Sequence, residues 1–240
     1  MMKIYRNIRQ KLAAENSVAK YLRYAIGEIF LVVIGILIAL QVNNWKENIQ
    51  NKELEKNTLE NIRADLVLQQ EIINGQLQFE EGKIAKADTA ASFLSSSFSL
   101  DKLNSLLENL CERRTFIANK TSYVSMDRNG EKRLIQNPKL QNSIVRYYQQ
   151  LDYVTQVINN NNLFVVDSQF GPFVSNNSLN IRLTGNGLLD NKQKITPGKK
   201  LQLRNQLHMR KAVSENIYRL CREQQEATKH LIQLIDKELH

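Results

Sequence analysis

The sequence predicts an all-α protein: an N-terminal transmembrane helix that continues into a long stalk helix and an antiparallel helical bundle. Three observations predict it. Three prolines and nine glycines are few for 240 residues, and no proline precedes Pro138, so long helices meet few breakers. One run near the N-terminus is apolar on every face. Farther along, apolar residues return at alternating steps of three and four, the spacing of helix seams.

Residues 24–42 carry the membrane expectation. As a helix at about 1.5 Å per residue they reach roughly 28 Å, close to the thickness of bilayer hydrocarbon. The mean hydropathy of the whole chain is −0.41, so contact with lipid is confined to this run. A helix that is apolar all round does not suit a half-exposed place in a soluble fold. Its flanks fit an interface. Arg23 and Tyr24 stand on one side, with Tyr21 before them, and Trp45 follows Asn43 and Asn44 on the other. Glu28 and Gln41 are the two polar residues in the run. An intramembrane carboxylate raises the question of function. The plainer reading is that Glu28, near the helix end, snorkels, protonates or pairs with Arg23 or Tyr24. Gly27, Gly35 and Ala39 lie on similar faces, and such small residues permit close packing of one membrane helix on another.

The basic flank sets the orientation. Lys3, Arg6, Arg9, Lys11, Lys20 and Arg23 against Glu15 give +5 of the chain's net +9. Bases of this kind stay on the cytoplasmic side and attract anionic lipid. Three regions follow: a basic cytoplasmic amphipathic segment (1–23), the transmembrane helix (24–42) and an exported, periplasmic helical domain (43–240). Within 1–15, Ile4, Ile8 and Leu12 recur every four residues between bases, a pattern suited to a membrane surface. The basic stretch is long for a signal peptide and no small-x-small site precedes Asn43, so an uncleaved anchor is expected.

Beyond Trp45 the helix is expected to run on, with Leu59, Ile62, Leu66 and Ile73 inward before the pattern blurs near Gly75 and Gly82. Residues 92–99 are serine-rich and predict a turn. Asp101–Arg113 is a helix with Leu103, Leu106, Leu107 and Leu110 inward. Residues 115–138 are punctuated: Thr121 and Ser122 cap a helical turn, and Asp127 to Gly130 is a turn signal. Asn137 and Pro138 open the next helix as N-cap and first residue. Its seam is Leu140, Ile144, Tyr147, Leu151, Val154 and Ile158. The run Asn159–Asn162 either weakens this helix or is its solvated continuation, and Gly171-Pro172 ends it. A polar loop is expected at about 173–198. The last helix runs from about Lys199 to Leu239 through Val213, Ile217, Leu220, Ala227, Leu231 and Leu234, with Gln224 at one seam position. Four such helices make the bundle.

The search for chemistry returns little. His208, His230 and His240 have no zinc-ligand spacing, and no HExxH or CxxC occurs. Gly185-Asn-Gly187 is a turn rather than a phosphate loop. No cofactor and no enzyme activity are expected. A sequence pI near 9.5 raises nucleic acid as a partner, but the bulk of the chain is only mildly basic and has no groove-reading motif. No nucleic acid is therefore expected; the partners are the lipid bilayer and either a second copy or an envelope protein. Cys111 and Cys221 are the only cysteines. In an oxidising space they would bridge two distant helices; the other reading is two buried free thiols beside Leu110 and Leu220.

The stretch from Tyr21 to Glu47, with Ile8 to Leu12 before it, resembles the N-terminus of an uncharacterised single-pass membrane family of the Bacteroidota. Ser122-Tyr123, Gly130, Leu134-Ile135, Asn137, Leu140 and Ile144 to Tyr148 are similar as well. The resemblance implies an inner-membrane protein with a periplasmic helical domain and no known activity. It also implies that Asn119-Lys-Thr and Asn176-Asn-Ser are not glycosylation sites. Two functions remain: a non-enzymatic, membrane-anchored module that binds a partner or itself, or a periplasmic ligand sensor acting through the stalk helix.

Overall fold

The computed structural model describes residues 18–95, 100–176 and 197–240. The helix expected over 1–15, the basic residues Lys3 to Lys11, the later half of the 92–99 turn and the loop core at 177–196 with Gly185 and Gly187 lie outside the described residues. In chain order the elements are α1 (Val18–Phe93), α2 (Leu100–Leu110), α3 (Thr121–Arg128), a 3-10 turn (Glu131–Leu134), α4 (Pro138–Asn161), a π-helical segment (Asn162–Phe170), α5 (Gly171–Asn176) and α6 (Pro197–Leu239). No strand occurs among the described residues. The all-α expectation holds.

The chain divides into two compact units, Met1–Glu55 and Lys56–His240. In the first unit, the most apolar 18-residue window of α1 has a mean hydropathy of 2.5 and none of it is buried. Length and composition are those of a helix able to cross a membrane.

In the second unit, α6 runs antiparallel to α1. Arg63 donates to Asp236 at 2.5 Å, Gln225 to Asn74 at 2.6 Å and Lys211 to Asp88 at 2.7 Å, so numbers rise on one helix as they fall on the other. α6 is antiparallel to α4 also, through Asn137–Glu238 at 2.7 Å and Tyr147–Thr228 at 2.9 Å. Leu59, Ile62, Leu66 and Ile73 are buried as the spacing predicts, and so is the whole α4 seam. Asn137 caps α4, accepting from the Lys139 and Leu140 amides at 3.1 and 3.3 Å, with Pro138 in the first turn where no donor is needed. Gly130 takes φ +69°, a left-handed value that only glycine adopts cheaply.

Four expectations need correction. α2 ends at Leu110, not Arg113; its last turn closes when the Cys111 amide bonds back to Leu107 and Glu108, and residues 111–120 leave as an extended strap. Thr121 and Ser122 do not cap α3. Asp65 of α1 does so across the bundle, accepting from the Ser122 amide at 2.7 Å and from Asn119 Nδ2 at 3.3 Å. Gly171-Pro172 does not end the helical path, which continues to Asn176, so residues 173–176 are helix rather than loop. α6 starts two residues earlier than expected, at Pro197.

The continuation past Gly171 has a geometric cause. The buried stripe after Ile158 passes through Asn162, Val166, Phe170 and Val174, in uniform steps of four. At 3.6 residues per turn each step of four drifts by about 40°, and four steps would carry the stripe to the opposite face. The wider π turn absorbs that drift. The Gly171 amide donates to Val166 O, five residues back. A Cβ at 171 would meet the same carbonyl at 3.0 Å, and Pro172 follows where the wider turn passes into α5.

Candidate functional site

The residues expected at the membrane lie in the first unit. Arg23, Gly27, Gly35, Ala39 and Trp45 are exposed and Tyr24 is half-buried. Arg23, Tyr24, Gly27, Glu28, Leu31 and Val32 line a shallow groove along α1. A Cβ added at Gly27 or Gly35 would meet nothing within 4 Å. His208 and His230 are exposed on α6. Cys111 and Cys221 are free thiols, Cys221 in the core with its pKa pushed up by burial to about 12, and Cys111 half-buried and raised for the same reason. Among the described residues no cluster of His, Cys, Asp or Glu could hold a metal ion.

The structure joins residues that the sequence leaves apart, in two arrangements in the second unit. The first is the strap over residues 111–120, which has no helix or sheet to satisfy its backbone. Side chains do so instead. Asn159 donates to Phe116 O and accepts from the Phe116 amide, both at 3.1 Å, pairing with that residue as a neighbouring strand would. Asn162 donates to Arg114 O at 2.9 Å, and Gln69 accepts from the Asn119 amide at 2.6 Å. Arg114 reaches Gly75 O at 3.2 Å, and its guanidinium fills the space a side chain at 75 would take. The asparagine run is thus the continuation of the helix towards Phe170, but it is solvated only in part, at Asn160: Asn159 and Asn162 hold the strap.

The second arrangement is a buried charged layer. Glu80 and Arg210 are each 1 % exposed. Arg210 Nε donates to Leu110 O at 3.0 Å and Nη1 to Ser214 Oγ at 2.6 Å, while Nη1 stands 4.0 Å from Glu80 Oε2. Gln76 donates to Glu80 Oε1 at 2.8 Å, and Gln76 Oε1 has no hydrogen-bond partner. Beside them Lys83 donates to Asn109 O, and to Asn109 Oδ1 and Glu112 Oε2 at 2.9 Å each.

Burial pushes the Glu80 carboxyl above its ordinary range, against the Ser214 hydroxyl and Arg210, which pull it down. Burial also lowers Lys83, opposed by its bond to Glu112, and lowers Arg210, opposed by Glu80. Chemically, the layer can take up a proton on Glu80 at a pH where an exposed carboxyl would not.

A hydropathy reading misses these residues because it scores them as surface. The available signal is register. On α6 the positions 203, 207, 210, 214, 217, 221, 224, 228, 231 and 235 are buried at alternating steps of four and three, with Leu220 buried beside them, and Arg210, Ser214, Gln224 and Thr228 belong to that series. The expected α6 face shared Ile217, Leu220 and Leu231 with it, whereas Val213, Ala227 and Leu234 are half-buried.

Residues 28–196 match the family described as a family of unknown function, DUF6090. No curated protein and no solved structure matches the chain.

Replacing Asn159 with Ala strands the amide and carbonyl of Phe116 beside the core. The expected loss is about 2 kcal/mol of unfolding free energy, while Asn160→Ala, one exposed residue along, should stay within about 0.5 kcal/mol. Urea titration of the two variants compares them; equal losses would remove the strap from the account.

Glu80 predicts a pH dependence. A carboxyl whose folded pKa is raised contributes stability that is complete below its unfolded value and is lost as pH rises through the folded value. The advantage of Glu80→Gln over the wild type should therefore grow as pH rises from the ordinary carboxylate range through the raised value of Glu80. The constant effect of leaving Arg210 without a carboxylate does not alter this slope. Unfolding curves that stay parallel across that range would contradict a raised Glu80.

Proposed function

We propose, starting from a chain that belongs to the DUF6090 family of unknown function, that the protein is a non-enzymatic, single-pass membrane-anchored helical module. One observation supports the anchor. Twelve large apolar residues between Leu22 and Val42 are 45–70 % exposed, on all sides of one helix. Water does not tolerate so continuous an apolar surface, and lipid satisfies it with every backbone bond already made within the helix. The second unit needs no such cover, because it has a core of its own.

The module sits in the inner membrane of a bacterium, with residues 1–23 in the cytoplasm and the bundle in the periplasm. The six bases before the span against one acid support that orientation. Its partner is a second copy or another envelope protein, met first in the bilayer, where Gly27, Gly35 and Ala39 let a neighbouring helix approach.

Thiol labelling tests the topology. In a chain carrying Cys111→Ala and Cys221→Ala, a cysteine replaces Gln149, an exposed residue of α4. A membrane-impermeant maleimide should label it in intact cells with a permeabilised outer membrane. Labelling only after lysis, with the protein still sedimenting with membranes, would reverse the orientation. A protein that is soluble after lysis would end the anchor itself.

Replacing Gly35 and Ala39 with Ile tests the contact between copies. The new Gly35 side chain meets nothing within the monomer, so a loss of self-association in bilayers, read by cross-linking, reports on the contact alone. Cross-linking at the wild-type level would take the span out of assembly and leave the partner to the bundle.

A further inference from the structure

The apolar interior of the second unit is in two pieces, and the charged layer lies between them. On α1 the first cluster ends at Leu77 and the second starts at Ala87, with Glu80 and Lys83 inward between them. On α6 the second cluster ends at Leu207 and the first resumes at Ile217, with Arg210 and Ser214 between. The break recurs on a third path: Ile158 belongs to the first cluster and Phe170 to the second, with Asn162 and Val166 between. α2 contributes to the second cluster alone through Leu103, Leu107 and Leu110, and α4 to the first alone.

We infer that this layer divides the bundle into two cooperative units, and that the one built on α2, α5 and the facing ends of α1 and α6 opens first. Three features point the same way. The ion pair is separated by 4.0 Å; a buried pair so loosely joined does not recover the cost of removing both charges from water. Among the described residues the two clusters share no buried apolar side chain, so a disturbance on one side is weakly resisted by packing on the other. The second cluster is also the smaller, ten buried residues against twenty among the described residues, and two of the ten are alanines, which bury little area. Opening breaks the bonds that tie α2 to the layer, from Arg210 to Leu110 O and from Lys83 to Asn109 O and Oδ1, and leaves Asn159 and Asn162 free to keep the strap on the first cluster.

Groups facing Glu80 decide how opening responds to protons. They are Gln76 and Lys83 on its own helix, and Arg210, Ser214 and Cys221 on α6. Protonating Glu80 removes the carboxylate partner of Arg210 within an intact layer.

Native-state hydrogen exchange on the full chain in lipid nanodiscs tests the division. Amides of residues 87–93, 101–110 and 203–209 should exchange together, at least about tenfold faster than those of 59–77, 144–158 and 217–235. Equal protection in the two sets, or rates that do not group the α1, α2 and α6 segments, overturns the inference. A chain carrying Glu80→Leu with Arg210→Met replaces the pair by apolar side chains, a change that buried ion pairs tolerate. In it the two sets should converge; a difference that persists in a folded variant overturns the layer as its cause. If that variant does not fold, the wild-type rates still decide the division.

Discussion

The antiparallel pairing of α1 with α6 is the constraint on which the rest of the bundle depends. Arg63–Asp236, Asn74–Gln225 and Asp88–Lys211 mark one register over about seven helical turns of α1. That register brings Arg210 and Ser214 opposite Glu80, and Thr228 opposite Tyr147 of α4. It also decides what must be added. Two long helices leave a groove, and α4 fills it beside the first cluster while α2 and α5 fill it beside the second. Once α2 lies at one end and α4 at the other, the chain between them has to cross the surface in extended form. The strap is a consequence of connectivity, and Asn159, Asn162 and Gln69 are what make its exposed amides and carbonyls affordable.

How much of this the sequence shows depends on whether a residue declares itself by hydropathy. The unburied apolar stretch of α1, the α4 seam and the Asn137-Pro138 start are plain, because Leu, Ile and Val at helical spacing have few other places to go. The cap on α3 is not plain, since Asp65 and Ser122 are 57 residues apart and no local rule links them. Gly171-Pro172 misleads for a related reason. Both residues are breakers by propensity, yet the π segment before them supplies a wider turn through which the helical path continues, with the Val166 carbonyl close to Gly171. The asparagines at 159–162 read as solvated for want of any sign that an extended strand lies against them.

The charged layer is the feature that hydropathy hides most thoroughly and that the heptad count exposes. Glu80, Arg210, Ser214, Gln224 and Thr228 sit where apolar residues would give a tighter core, so each weakens the bundle relative to an all-apolar seam. What they contribute is discrimination. Sliding α6 by one heptad keeps every apolar step of the pattern in phase, and an all-apolar seam would not resist it. With the layer present, such a slide brings Arg210 level with either the Ile73–Leu77 turn or the Ala87–Ala90 turn of α1. A guanidinium there would face an apolar cluster with no carboxylate and no Leu110 carbonyl to receive it, a penalty of several kcal/mol per ion. The same residues that make the interior weak at one level therefore fix the register at all others, and the place where the bundle is most specific is also the place where it parts most readily.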